Sequence, residues 1–122
     1  MKRLTGIILA ALIVGVSLPA WAKENSTIGN LIKMHKEGDA EGKQLIEGYI
    51  GAFADGANWA NIKLQGQSRP RLYCPPDNLA ITNNQSFSIF LEAVEKYNGE
   101  GKPSSMRGWF IFQGLIEAFP CE

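Results

Sequence analysis

The sequence has little of what most enzyme active sites use. Its 122 residues include one histidine and two cysteines. A zinc site would need further histidine or cysteine ligands beside His35, and Cys74 and Cys121 are not spaced as the C-x-x-C of thioredoxin-type proteins. We therefore expect His35 to be a structural residue, and the sequence predicts no metal and no cofactor.

Basic runs and nucleophile motifs are also missing. The twelve Lys and Arg residues are scattered and not interleaved with aromatic residues, so no nucleic-acid partner is expected. In GQSRP, Pro70 replaces the second glycine of the G-x-S-x-G elbow. The carboxylate pairs Asp39–Glu41 and Glu92–Glu95 lie on predicted helices, where solvated charge is the default. We therefore expect a protein that is not an enzyme.

Only one long hydrophobic run is present, and it lies at the N-terminus. Lys2 and Arg3 precede an apolar stretch from Leu4 to about Leu18, and a small-residue motif A-W-A ends at Ala22. The stretch is shorter than the roughly 20 residues that span a bilayer. This pattern is typical of a secretory signal peptide, so we predict cleavage after Ala22 rather than retention as a membrane anchor. The mature form is expected to carry no membrane segment.

The predicted mature chain, residues 23–122, has the length of one domain. Export would place Cys74 and Cys121 where disulfides persist, and two cysteines allow a single intramolecular pairing. The alternative is a pair of free or metal-bound thiols. We predict the disulfide Cys74–Cys121, which joins the proline-rich loop R-P-R-L-Y-C-P-P-D to the end of the chain.

Hydrophobic periodicity predicts an all-α fold, a compact bundle of four main helices held by one disulfide. No alternation of apolar and polar residues is long enough to predict a β-strand instead. The predicted helices run from Ser26 or Thr27 to near Gly38, from the cap Asp39 to about Ile62, from the capping-box residue Thr82 to about Asn98, and from the serines after Pro103 to Pro120.

The second predicted helix has an apolar stripe and three glycines. Leu45, Tyr49 and Phe53 share one stripe, with Ile46, Ile50 and Ala57 beside it. A glycine weakens a helix by up to about 1 kcal/mol relative to alanine. We therefore expect close packing of another helix at Gly48, Gly51 and Gly56, with a helix break at Gly56 as the alternative.

The fourth predicted helix is apolar on more than one face. A small bundle cannot easily bury Trp109, Phe110 and Phe112 together with Met106 and Phe119. We expect Trp109, Phe110 and Phe112 to form a homodimer interface. Burial of all three within one subunit is the alternative.

Four short motifs follow one another along the chain. They are G-Y-I-G-A-F-A-D-G (Gly48 to Gly56), Y-C-P-P (Tyr73 to Pro76), E-K-Y (ending at Tyr97) and E-A-F-P-C (Glu117 to Cys121). In this order behind a signal peptide, the set resembles the periplasmic immunity proteins of the Rap/Tai family, which neutralise amidase effectors of bacterial type VI secretion systems. The resemblance runs from about residue 44 to the end. Relatives often carry another cysteine pair in the region of His35, Lys43 and Gln44.

The resemblance implies an all-helical, often dimeric periplasmic protein that binds a peptidoglycan-cleaving amidase and blocks its cleft with a loop. The first candidate loop comprises Asn98, Gly99, Glu100, Gly101 and Lys102, followed by Pro103. Its glycines allow close approach, and Glu100 and Lys102 offer opposite charges. Arg69 and Arg71, with Gln65 and Gln67, form a second candidate. An ordinary solvated turn is the alternative for both loops, and an HdeA-like acid-stress chaperone is the alternative function.

Overall fold

The computed structural model describes residues 26–122, so the predicted signal peptide and its cleavage site lie outside the described residues. The helices are α1 (Ile28–Glu37), α2 (Ala40–Gly66), α3 (Asn83–Lys96) and α4 (Arg107–Ala118), and a 3-10 turn, Ser104–Met106, leads into α4. Helices α2, α3 and α4 pack against one another, and α1 packs on α2. Within this range no strand is present, and the predicted all-α bundle is confirmed.

Local side-chain caps explain where three helices begin. Thr27 Oγ1 accepts a hydrogen bond from the Asn30 amide at 3.2 Å, and Asp39 Oδ1 accepts one from the Gly42 amide at 2.8 Å. Thr82 and Gln85 form the predicted capping box. These bonds satisfy amides that have no partner inside a helix. The predicted serine cap of α4 is not formed, because the 3-10 turn precedes that helix instead.

The core-facing side of α2 contains only part of the predicted apolar set. Ile50, Ala54 and Asn61 are buried, whereas Leu45, Tyr49 and Phe53 are 68%, 44% and 37% exposed. The buried face is lined by smaller residues, which allow α3 to approach closely. Ile50 of the predicted apolar set is therefore in the core, whereas the stripe of larger side chains faces outward.

The glycines of α2 have different surroundings. A Cβ at Gly51 would lie 2.9 Å from Asn83 Cγ at the start of α3, so the predicted close packing is confirmed there. A Cβ at Gly48 would make an ordinary contact with Asn83, and one at Gly56 would meet nothing within 4 Å. The helix continues through Gly56 to Gly66, so neither the close packing nor the break predicted at Gly56 is present.

The loop between α2 and α3 is fixed to α2 and to the segment that follows α4. Cys74 and Cys121 form the predicted disulfide, with their Cα atoms 4.9 Å apart. The Cys74 amide donates to the Phe119 carbonyl at 2.7 Å. The buried Asn61 side chain receives a hydrogen bond from the Leu72 amide at 2.7 Å and donates one to the Tyr73 carbonyl at 2.6 Å. Tyr73 is thereby held in the core, where it is 1% exposed.

The motifs E-K-Y and E-A-F-P-C, distant in sequence, meet on one side of the bundle. The Tyr97 hydroxyl donates a hydrogen bond to the Glu117 carboxylate, and Lys96 Nζ lies 2.9 Å from the other oxygen of that group. These two contacts hold the pKa of Glu117 below its ordinary value. The C-terminal end of α3 is thus joined to α4.

Candidate partner-binding surfaces

The segment Asn98–Pro103, the first candidate loop, is fixed by backbone hydrogen bonds to α1. The amides of Ile28 and Gly29 donate to the carbonyls of Lys102 and Glu100 at 2.9 and 2.8 Å. Those two amides are among the unpaired donors at the start of α1, so the loop caps the helix with its own backbone. Such a loop is preorganised, because its carbonyls are held in place while its side chains stay free.

The side chains of this loop divide into exposed and buried positions. Asn98, Glu100, Gly101 and Lys102 are exposed, and Asn98 turns the chain with a φ of 50°. Gly99 is buried: a Cβ there would lie 2.5 Å from Phe110 Cε1. The loop therefore offers an amide and two opposite charges to a partner, whereas Gly99 has a structural role.

An open groove of about 480 Å³ runs beside the loop, between α1 and α3. Asn98 and Glu100 form one edge, and Lys36 and Glu95 add charge. The remaining lining residues are apolar: Ile32, Leu91 and Val94. An apolar floor with a charged rim is the usual composition of a protein-binding site.

The second candidate loop lies at the opposite end of α4. Arg69 is exposed and Arg71 is half-buried, and they precede the Tyr73–Cys74 segment that contacts Phe119 at the C-terminal end of α4. The first candidate loop instead leads into the N-terminal end of α4. Twelve helical residues span about 18 Å, so the structure does not bring the two loops together.

The three aromatic residues predicted to form a dimer interface differ in accessibility. Phe110 is 1% exposed and packs edge-on against Phe90, with ring centroids 6.5 Å apart. It is therefore part of the core and was wrongly assigned to an interface. Trp109 is 44% exposed beside Tyr97, and Phe112 is half-buried. An interface through Trp109 and Phe112 remains a prediction.

The outward face of α2, with the exposed side chains of Leu45, Tyr49 and Trp59, is a candidate surface that was not predicted from the sequence. Tyr49 and Phe53 both pack against Arg107 of α4, whose guanidinium lies 4.7 and 5.3 Å from the two ring centroids. Arg107 Nη1 also donates to the Ser104 carbonyl at 2.7 Å. The available signal was the pattern of charge, because Glu41 and Lys63 fall on the same helix face as Leu45, and charged side chains indicate the solvent side.

His35 is part of a contact that joins α1, α2 and α3. Its Nε2 atom lies 2.9 Å from Glu47 Oε1, and its ring packs on Phe87 with centroids 4.0 Å apart. The hydrogen bond from His35 is the main cause that holds the pKa of Glu47 below 4.5, its ordinary value, and Asn84 adds a weaker bond. Within residues 26–122 no group of three or more His, Cys, Asp or Glu side chains could hold a metal ion.

Because the pKa of Glu47 is lowered in the folded protein, the ionised carboxylate stabilises the fold at neutral pH. This stabilisation is present above the ordinary pKa of 4.5 and is lost as the pH falls through the lowered value. We expect the free energy of unfolding of the wild-type protein to decrease as the pH falls below 4.5. In Glu47→Gln this decrease should be less steep. Urea unfolding at a series of pH values measures both slopes.

The matched control for this prediction is Glu92→Gln, which removes an exposed carboxylate from α3. It should leave the pH dependence unchanged. Equal slopes for the wild-type protein and Glu47→Gln would show that the His35–Glu47 contact contributes no pH-dependent stability.

None of the helices described between residues 26 and 122 has the combined length and hydrophobicity needed to cross a bilayer. Comparison of the chain with protein-family models, with curated proteins and with solved structures found no match.

Proposed function

We propose that the protein is a periplasmic immunity protein that binds a type VI secretion amidase and occludes its active-site cleft. The protein acts by binding and performs no catalysis. The loop Asn98–Pro103 enters the cleft, and the groove between α1 and α3 receives the surface beside it. The protein would thereby shield the cell wall from the amidase.

The observation that carries this proposal is the preorganisation of the loop. Its backbone is tied to α1 through Glu100 and Lys102, while the side chains of these two residues are exposed. A loop that is already ordered loses less conformational entropy when it binds, so more of its contact energy appears as affinity. Opposite charges two residues apart also favour one orientation in the partner's cleft.

The positions of the motifs that carry the Rap/Tai resemblance also support the proposal. Gly51 lies at the contact between α2 and α3, Tyr73 is buried, and Cys74 is bonded to Cys121. Residues of three of the four motifs thus lie at contacts that hold this fold together.

The test is to mix the oxidised mature domain, residues 23–122, with purified type VI amidases of several subfamilies. We expect a stable complex with one of them by size-exclusion chromatography with mass analysis, and loss of its peptidoglycan cleavage. In the double charge reversal Glu100→Lys/Lys102→Glu, we expect the affinity for that amidase to fall by about 100-fold, since two charged contacts become repulsive.

The matched control is a double charge reversal on the exposed side of α2, Glu41→Lys/Lys63→Glu, which leaves the loop and the groove unchanged and should bind normally. Unchanged binding of the loop variant would reject the loop assignment. Failure of every amidase to bind would reject the immunity function itself.

A second candidate function, an acid-stress chaperone, is favoured by one observation. Large apolar side chains are already exposed at several positions, among them Met34, Leu45, Trp59 and Ile62. Such side chains could bind unfolded proteins. Suppression of aggregation of unrelated proteins after acid treatment, without any amidase complex, would support this function over the first.

A further inference from the structure

A small pocket lies between α2 and the loop that leads to α3. Its volume is about 220 Å³, below the roughly 300–1,000 Å³ of pockets for drug-sized ligands, so it suits a ligand the size of one side chain. Its apolar wall includes Ala54 of α2 together with Pro75, Leu79 and Ile81 of the loop. None of the residues that line it also lines the groove between α1 and α3.

The loop side of the pocket is held in place by hydrogen bonds. The Asn61 side chain of α2 donates to the Tyr73 carbonyl at 2.6 Å. The Leu79 amide donates to the Pro76 carbonyl at 3.0 Å, which closes a turn. The pocket is therefore preorganised, and a ligand that enters it has little protein structure to order.

Three polar side chains line the same pocket. Asp55 and Asn58 lie three residues apart on α2, which places them on one side of the helix, and Tyr73 belongs to the loop opposite. Among residues 26–122, Asp55 has no ion-pair partner. In the same range, no hydrogen bond engages the Asp55 carboxylate, the Asn58 amide or the Tyr73 hydroxyl. All three groups are thus available to a ligand.

The Tyr73 hydroxyl opens onto this pocket although the residue is 1% exposed. Within the described part of the chain, Arg107 Nε is the one fully buried side-chain nitrogen or oxygen that lacks a partner. The Tyr73 hydroxyl also lacks a partner, so it must reach the accessible surface. Burial, and secondarily the charge of Asp55, raises the pKa of Tyr73. The hydroxyl is therefore neutral at physiological pH, and it lies within reach of the field of the Asp55 carboxylate.

The pocket combines hydrogen-bond acceptors with an apolar wall. The Asp55 carboxylate can only accept, and the Asn58 amide oxygen and the Tyr73 hydroxyl oxygen can each accept as well. An ammonium group carries one positive charge and three donors, and it has no acceptor. The carboxylate favours such a cation over a neutral or anionic ligand, because hydrogen bonds between charged groups are the stronger ones. The apolar wall suits an alkyl stem.

We propose that this pocket binds an alkylammonium group, with the ammonium beside the Asp55 carboxylate and the alkyl stem against Leu79 and Ile81. The Asn58 amide oxygen and the Tyr73 hydroxyl accept further hydrogen bonds from the ammonium. A lysine side chain of a protein partner and a free small amine both present this group. The proposal does not depend on the amidase, since the pocket shares no residue with the loop Asn98–Pro103 or with the groove.

The test is an NMR titration of the oxidised mature domain with n-butylammonium chloride at constant ionic strength. We expect saturable shifts of the Asp55, Asn58 and Tyr73 amide signals, with a dissociation constant in the millimolar range. Asp55→Asn should weaken binding by about tenfold, because it removes a charge-assisted hydrogen bond. Tyr73→Phe should weaken binding by about threefold and leave the urea midpoint unchanged, because the hydroxyl has no partner in the folded protein. n-Butanol, which has the same stem without the charge, should bind at least about tenfold more weakly.

The matched control is Asp77→Asn, which removes an exposed carboxylate from the same loop outside the pocket and should bind normally. A titration with Nα-acetyl-lysine methylamide distinguishes the two sources. Binding of both amines supports a lysine of a protein partner, and binding of n-butylammonium alone supports a small free amine. No saturable binding of either amine, or equal binding by Asp55→Asn, would overturn the proposal. Because no amidase is present, that failure would leave the immunity function unaffected.

Discussion

Replacing both Cys74 and Cys121 by serine is expected to lower the free energy of unfolding by about 4 kcal/mol. The disulfide joins residues separated by 47 positions, so its loss frees a long loop in the unfolded chain. Cys74 is half-buried and Cys121 is exposed, so the substitution removes little packing. For a domain with a net stability of about 5–15 kcal/mol, this is a large fraction. Urea unfolding of both proteins measures the difference.

Two controls accompany this prediction. A reducing agent should destabilise the wild-type protein to the level of the double serine variant and should leave that variant unchanged. The dependence of unfolding free energy on urea should also steepen without the disulfide, because the unfolded chain exposes more surface. A loss below about 1 kcal/mol would show that the unfolded chain is constrained by other contacts.

Gly99→Ala is expected to destabilise the protein by about 2 kcal/mol, a typical cost of overpacking. The new Cβ would lie 2.5 Å from Phe110 Cε1, and Phe110 cannot move away easily because it is 1% exposed. The loop must therefore shift. We also expect faster hydrogen exchange of the Ile28 and Gly29 amides, which donate to the loop carbonyls. Urea unfolding and amide exchange by NMR measure the two effects.

The same loop supplies the matched control, Gly101→Ala. A Cβ at Gly101 would meet nothing within 4 Å, and this glycine does not have a positive φ. The change should alter stability by less than about 0.5 kcal/mol and leave amide exchange in α1 unchanged. Similar effects of the two substitutions would mean that contact with Phe110 does not determine the position of the loop.

Helix starts could be predicted from the sequence because their causes are local. Asp39 and Thr82 accept hydrogen bonds from amides three residues ahead, and such bonds leave a short, readable pattern. The disulfide was equally accessible, because two cysteines allow one pairing. The end of α2 was not: the helix continues to Gly66, four residues beyond Ile62, although the apolar periodicity has stopped.

Which side of α2 contacts the core could not be predicted from hydrophobicity, because both of its sides carry apolar residues. The stripe through Leu45 has the larger side chains, yet the stripe through Ile50 and Ala54 is buried. Close approach of α3 at Gly51 favours the smaller residues on the inside. Phe110 was misplaced for a related reason, since the space for its ring is created by Gly99, which is distant from it in sequence.

The candidate loop was recognised by its glycines and charges, but its rigidity was not. The amides of α1 bond to the carbonyls of Glu100 and Lys102, and a backbone acceptor leaves no trace in residue identity. The groove next to the loop was likewise not predictable from residue identity, because residues from α1 and α3 line it together with Asn98 and Glu100. Both features depend on the packing of distant segments.

Because Cys121 follows all four described helices, the disulfide can form only late in synthesis. A chain that emerges from its N-terminal side presents Cys74 early, but this thiol has no partner until α3 and α4 have followed. The disulfide can therefore form only after every helix is available for packing. It therefore cannot direct packing among the helices that emerge before Cys121 does.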